Sequence, residues 1–452
     1  MRETPPVRAG VLFVGRRRPG FDQEWGREVA RRVRSYLEEG PLEAFPPATV
    51  TDDASLRRGV ARCREAGCEV LLVLQPTMGD GRLAPLLARL WDGPVVLWAT
   101  PERPEVPAVS SNSLVGTHLF ASTLRQLGRP FEVVYGDPAD GRLRRDLEEA
   151  LRACSAARRL RGSKVGLVGH HAPGFVDLHP DPFLMSRSLG VEMVQLGLHE
   201  FVELARSFGE EEVLRDAGRV LGMGLPFAQG VGEGDLPTSS RYYLAMRRLF
   251  EEEGLDALAL RCWPELPDVL GQWAYLAMVR LLEEGLPVAM EGDVDGAVCG
   301  RVGALVGAGP GYLSDWLEHD ARTITLWHPG NAPLSMCEPV GGGRGPRLAR
   351  HFNVPRPMVV DADLRAGEPV TLFRLWRCDG RYMLVARDAR TVPPRRPLPG
   401  TNGLVELPEH LDGYRWFEEL CHAGMPHHLT VLPGHNASVL RRLARQLGVR
   451  AL

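Results

Sequence analysis

The feature that most constrains this chain is an alternation of short apolar strands with helical segments that runs through its first two thirds and then stops. Residues 11–14, 70–74 and 95–98 read as strands, each followed by polar or Gly/Pro-rich turns and a helical stretch. Alternation of this kind specifies α/β domains. The basic run Arg158-Arg159-Leu160-Arg161-Gly162-Ser163-Lys164 closes a long helical segment, and a new strand starts at Val165. A second alternating block follows, with a helix near 200–208, a strand at 257–260 and a helix near 272–283. After Thr323-Ile324-Thr325-Leu326-Trp327-His328 the helices thin out and Pro/Gly-rich loops separate strand-like runs. Residues 370–376 pair naturally with 382–386 across Asp379-Gly380, a strong hairpin signal. The expected architecture is therefore two Rossmann-like α/β domains, 1–162 and 163–322, followed by a mainly β, barrel-like C-terminal domain, 323–452.

Composition narrows the function classes. At 452 residues the chain exceeds one ordinary core, and a net charge of −3 without a basic stripe gives no footprint for nucleic acid. No apolar stretch reaches membrane-spanning length, and the N-terminus runs straight into a strand instead of a signal peptide. A cytoplasmic protein acting on a small molecule is the expectation, with no nucleic-acid or membrane partner. The eight cysteines include no Cys-x-x-Cys pair and read as reduced thiols. Lys164 is the one lysine among 54 basic residues and sits at the start of a strand, away from the carboxyl edge where ligands gather, which leaves little room for Schiff-base chemistry. The Gly341-Gly342-Gly343-Arg344-Gly345 run lacks the strand-to-helix context of a phosphate loop, and Gly15-Arg16-Arg17-Arg18-Pro19-Gly20 is not a dinucleotide turn.

Chemistry concentrates at two strand exits. The strand ending at Leu260 leads into Arg261-Cys262-Trp263-Pro264-Glu265, and the strand beginning at Val288 delivers Glu291, Asp293 and Asp295. Successive parallel strands place their exits on one sheet edge, so these carboxylates can converge. Taken singly, Glu265 also reads as a helix-start carboxylate, and Asp293 or Asp295 as a helix cap. A late segment, His427-His428 through His435, flanks one short strand with imidazoles. Carboxylate oxygen with neutral imidazole suits a divalent metal, and in an alternating strand only one of His427 and His428 can face the site. His170-His171, at another strand exit, are further candidates for contact with substrate hydroxyls.

Arg-Cys-Trp-Pro-Glu-Leu (261–266), Met-Glu-Gly-Asp-Val-Asp-Gly-Ala (290–297), Leu-Trp-His-Pro-Gly-Asn-Ala-Pro (326–333) and the His427-His428 segment together resemble the L-fucose and L-arabinose isomerase group. Ser110-Ser111-Asn112-Ser113 onward also resembles that group, and the order of the motifs is consistent along most of the chain. This resemblance implies a metal-dependent aldose–ketose isomerase acting on a free monosaccharide such as L-fucose, D-arabinose or L-arabinose through an enediol. It implies Mn2+, or Co2+, Mg2+ or Zn2+, held by Glu265, Asp293 and His428, with Glu265 and Asp293 moving protons. Glu291 competes with Asp293 for the second ligand position, and Trp263, His328 and Glu291 are expected at the substrate. It further implies a homo-oligomer, a trimer or hexamer, with the site near a subunit boundary and Arg16, Arg17, Arg18 and Asn112 as lid candidates. A sugar-binding or regulatory protein on the same scaffold, or a metal-dependent epimerase or lyase, are the alternative readings.

Overall fold

A computed structural model describes residues 6–16, 20–39 and 43–452; Arg17 and Arg18 lie outside the described residues. The chain divides into two compact units, one running up to Arg159 and rejoined by Ser438–Val449, the other comprising Leu160–Ala437 and Arg450–Leu452.

In the first unit, β1 (Arg8–Val14), β2 (Glu43–Val50), β3 (Val70–Leu74), β4 (Val95–Ala99) and β5 (Glu132–Tyr135) form a parallel sheet in the order β2-β1-β3-β4-β5. Every residue of β3 and β4 is buried, as an unbroken apolar run requires in a sheet covered on both faces. Glu132 on β5 is buried yet charged, and it is matched by Arg442 at 2.9 Å and Arg445 at 2.7 Å from the returning C-terminal helix. The strand order reverses between β1 and β3, where open α/β sheets form crevices. A cavity of about 390 Å³ sits there, lined by Arg16, Arg27, Arg31 and Arg34 with threonine hydroxyls and, among the described lining residues, no carboxylate.

The second unit begins with a smaller parallel sheet of β6 (Lys164–Val168), β7 (Glu192–Leu196), β8 (Ala257–Leu260) and β9 (Val288–Ala289), ordered β7-β6-β8-β9. Its remaining strands are β10 (Tyr312–His319), β11 (Thr323–His328), β12 (Arg347–Arg350), β13 (Pro357–Asp363), β14 (Pro369–Cys378), β15 (Arg381–Val392), β16 (Thr401–Glu406), β17 (His428–Pro433) and β18 (Arg450–Ala451). Six of them close into an antiparallel barrel in the order β10-β11-β16-β15-β14-β17, and β17 returns to β10. Closure removes the unpaired edges that an open sheet would expose. The interior is apolar, with Ile324, Leu372, Trp376, Val385, Val405 and Val431 in one buried cluster. The expected hairpin is present: Cys378 pairs with Arg381, and Asp379 and Gly380 both take positive φ, 51° and 67°, as a type I′ turn demands. The barrel's first strand starts at Tyr312, and the helix Val294–Leu305 packs on β8 and β9 of the sheet and on β14 and β17 of the barrel. Sheet and barrel thus share one core. Among the described residues, no helix is long and apolar enough to cross a membrane.

Candidate active site

Strand β8 is four buried apolar residues, and its exit carries Glu265 as the first residue of a short helix, Glu265–Val269. The Glu265 carboxylate is held by Arg261, whose Nε donates to Oε2 at 2.8 Å and whose Nη2 reaches Oε1. About a third of the Glu265 side chain remains exposed at the carboxyl edge of the sheet. Trp263, between the two, stacks on Phe175 with centroids 6.1 Å apart.

Strand β9 exits through Met290 into a turn in which Glu291 adopts φ 59° and Gly292 φ 71°. A left-handed glutamate costs about 1–2 kcal/mol relative to an ordinary conformation, so its surroundings must hold it there. They do: Ala172 N–H donates to the Glu291 carbonyl at 2.8 Å, and the Glu291 N–H lies 3.4 Å from Cys262 Sγ. Gly292 is required because any Cβ would collide with the His170 carbonyl. The outcome is a carboxylate turned inward, Oε2 at 3.2 Å from His428 Nε2 and Oε1 at 3.8 Å from His328 Nε2.

Asp293, two residues on, meets different partners. Its carboxylate caps the helix Val294–Leu305 through Gly296 N–H at 2.8 Å, accepts from Arg374 at 2.7 and 2.9 Å, and sits 2.9 Å from His428 Nδ1. Arg374 and Asp293 are both essentially unexposed. The expected metal oxygen of Asp293 is therefore already engaged; the group stands behind His428 and fixes its ring. Asp295 is likewise spent, on Arg377 and Tyr382.

The barrel supplies the opposite wall. His428 on β17 is fully buried, Asp315 on β10 is its cross-strand partner, and His328 ends the next strand, β11. His428 Nε2 lies 3.6 Å from Asp315 Oδ1. His427 is bound through Nδ1 to Asp177 at 2.7 Å and packs on Phe175, its ring 4.1 Å from that of His428, and His435 at the far end of β17 contacts the Ala389 carbonyl. Of the three late histidines, His428 alone has its ring between the carboxylates.

Charge follows this packing. Burial would raise the Glu291 carboxyl, but His328 and His428 outweigh it and hold it well below the usual range; Arg374 and His428 do the same for Asp293. Burial would lower His428, and the flanking carboxylates overcome it, raising the ring to about 10. Burial pushes the neighbouring Cys262 thiol up to about 12, so it is a neutral packing group.

Whether a divalent metal fits can be tested on the donors. Ligand atoms of Asp315, His328 and His428, and of Glu291, His427 and His428, lie within 4.8 Å of one another in two overlapping sets. His328 Nδ1 is buried with no hydrogen-bond partner, an expensive condition for a ring nitrogen, and His428 Nε2 faces only carboxylate oxygens, Glu291 at 3.2 Å and Asp315 at 3.6 Å. Carboxylate oxygens and imidazole nitrogens, once His428 yields its Nε2 proton, fit a divalent cation of the Mn2+, Co2+ or Zn2+ type.

Sulfoquinovose isomerase of Priestia aryabhattai is 25% identical to this chain over 447 residues, covering 97% of the chain and 98% of the relative. The protein of the same name from Priestia megaterium matches to the same extent, and that from a Clostridium species, strain MSTE9, is 26% identical over 394 residues, 85% of this chain and 86% of the relative. No family pattern matches the chain. These relatives support an aldose–ketose sugar isomerase. For such an enzyme the site has the needed parts: a carboxylate-imidazole cluster, an acidic side chain at an adjacent exit in Glu265, and an aromatic wall in Trp263 and Phe175.

Asp315 was not found by reading the sequence. Its signal is faint, an acidic residue inside the apolar run Tyr312-Leu313-Ser314-Asp315-Trp316, and only the register of β10 against β17 gives it meaning. Arg374 was hidden in the same way within the run read as one half of a hairpin.

Proposed function

We propose that this chain is a divalent-metal-dependent aldose–ketose isomerase of the L-fucose/L-arabinose isomerase type. Glu291, Asp315 and His428 would hold its metal, with His328 alongside. The observation that carries this reading is the fully buried Nε2 of His428, set 3.2 Å from the Glu291 carboxylate and 3.6 Å from that of Asp315, with His328 3.8 Å from the other Glu291 oxygen; the proton it holds between these carboxylates is the one an ion would replace. Bound there, the ion would polarise the sugar carbonyl and lower the barrier to ionising the adjacent carbon–hydrogen bond.

The chain's own groups do the rest. Asp293 accepts from His428 Nδ1–H and so presents Nε2 to the cluster, an orienting role usual for carboxylates behind ligating histidines. Arg374 holds Asp293 by two charge-assisted hydrogen bonds. Glu265 is the proton carrier: its carboxylate takes the proton from C2 and returns it to C1 through the enediol, the O2 hydroxyl proton passing to O1 in the same conversion, while Arg261 keeps the carboxylate at the rim. Trp263 against Phe175 gives the sugar an apolar face to lie on. The names of the relatives put sulfoquinovose first among sugars to try, ahead of L-fucose, D-arabinose and L-arabinose.

The test is isomerisation of those four sugars by protein stripped with a chelator, then reloaded with Mn2+, alongside Glu265→Gln and Glu291→Gln. Ketose formation that requires metal, with Glu291→Gln losing the metal and Glu265→Gln keeping it while losing turnover, supports these roles. Turnover that persists after chelation overturns the metal assignment.

A further inference from the structure

We infer that His170, His171 and His179 form a second cation site, beside the sugar centre but sharing none of its donors, and suited to Zn2+, Ni2+ or Cu2+. The first two histidines leave β6 directly after Gly169, whose φ of 80° turns the chain across the sheet edge, and the third follows the short turn Val176–Leu178. Their ring centroids are 4.1 Å apart for His170–His171 and 5.4 Å for each of the other two pairs. One nitrogen from each ring lies within 4.8 Å of the others.

Three features make this more than a surface accumulation of histidine. The loop is anchored: Ala172 and Leu178 are buried, Ala172 N–H is bonded to the Glu291 carbonyl, and Phe175 and Leu178 N–H groups close successive turns within it. His171 Nδ1 lies 3.0 Å from the Ala172 carbonyl, which makes Nδ1 the donor and leaves the Nε2 lone pair for a ligand, the arrangement seen behind metal-bound imidazoles. Among the described residues no carboxylate pairs with any of the three rings. His170 and His179 are exposed, and side-chain rotation can bring nitrogens that already lie within 4.8 Å of one another to the roughly 3.4 Å that separates ligands on a tetrahedral ion. Three imidazoles without a carboxylate favour the later first-row ions over Mn2+ or Mg2+, and three protein ligands leave a position open to water.

Zn2+ binding to chelator-stripped, tag-free protein tests this, with bound metal measured by mass spectrometry and Co2+ absorption as a second readout. The intact chain should take two equivalents. Glu291→Gln/Asp315→Asn, which disables the sugar centre, should retain one, and adding His179→Gln to that background should remove it. His170→Gln/His179→Gln alone should drop one equivalent with an unchanged melting temperature in the absence of metal. The proposal is overturned if Glu291→Gln/Asp315→Asn binds no Zn2+, or if the His179→Gln addition leaves the retained equivalent in place. Neither result bears on whether the sugar centre itself binds Mn2+.

Discussion

At its carboxyl edge the sheet β2-β1-β3-β4-β5 gathers Arg16, Arg27, Arg31 and Arg34 around a cavity, whereas the sheet β7-β6-β8-β9 delivers Glu265 and Glu291. Both sheets are parallel, and both come from the same strand-helix alternation, yet one edge is cationic and the other is acidic and backed by imidazoles. The layout of an α/β sheet chooses where a ligand goes; the few residues after each strand choose what it can be. Buried charge marks the contrast too. In the first unit Glu132 is matched by arginines on both oxygens, while in the second Asp293 takes the arginine and its neighbour Glu291 faces imidazoles alone.

Glu291→Gln breaks the comparison most severely. It should lower turnover by about 10³-fold, equivalent to about 4 kcal/mol of barrier, and abolish stoichiometric Mn2+ binding, with the fold intact by circular dichroism. Arg374→Met leaves Asp293 buried without its cation and should cost about 3–5 kcal/mol of stability in denaturant unfolding, together with a 10–100-fold loss of metal affinity as His428 loses its orientation. Glu132→Gln supplies the counterpart in the first unit. Its arginine partners are partly exposed, so the cost should be smaller, about 2 kcal/mol, with metal content per folded chain unchanged.

A subtler lever is pH. In the metal-free chain His428 stays protonated to about 10, and a cation must displace that proton. Apparent metal affinity should therefore rise about tenfold per pH unit from neutrality toward 10 and flatten above it, as titration calorimetry in buffers of different ionisation heat would show. The same raised ring contributes stability to the metal-free protein that is fully present below the unfolded value of about 6.5 and lost as pH rises through 10. Gly380→Ala, far from either sheet edge, should cost only about 1 kcal/mol through its positive φ and leave turnover alone.

The pattern along the chain was enough for the two α/β blocks, the hairpin at Asp379-Gly380 and the strand exits bearing Glu265 and Glu291, because each rests on local periodicity or turn chemistry. It pointed to the His427-His428 pair, of which His428, the first residue of β17, is fully buried, while His427 precedes the strand and is bound to Asp177. It did not separate Glu291 from Asp293. Two residues apart on one turn, they look equivalent in sequence, and what distinguishes them is an arginine 81 positions later on β14.

Sequence by itself therefore determined which elements form and which residues reach the sheet edge. Tertiary structure decided which carboxylate is spent and which is open, and brought in Asp315 by the register of β10 on β17. The reason is physical: hydrophobic period and turn propensity act over a few residues, whereas a buried charge takes its role from whichever opposite charge the closed barrel sets within 3 Å of it.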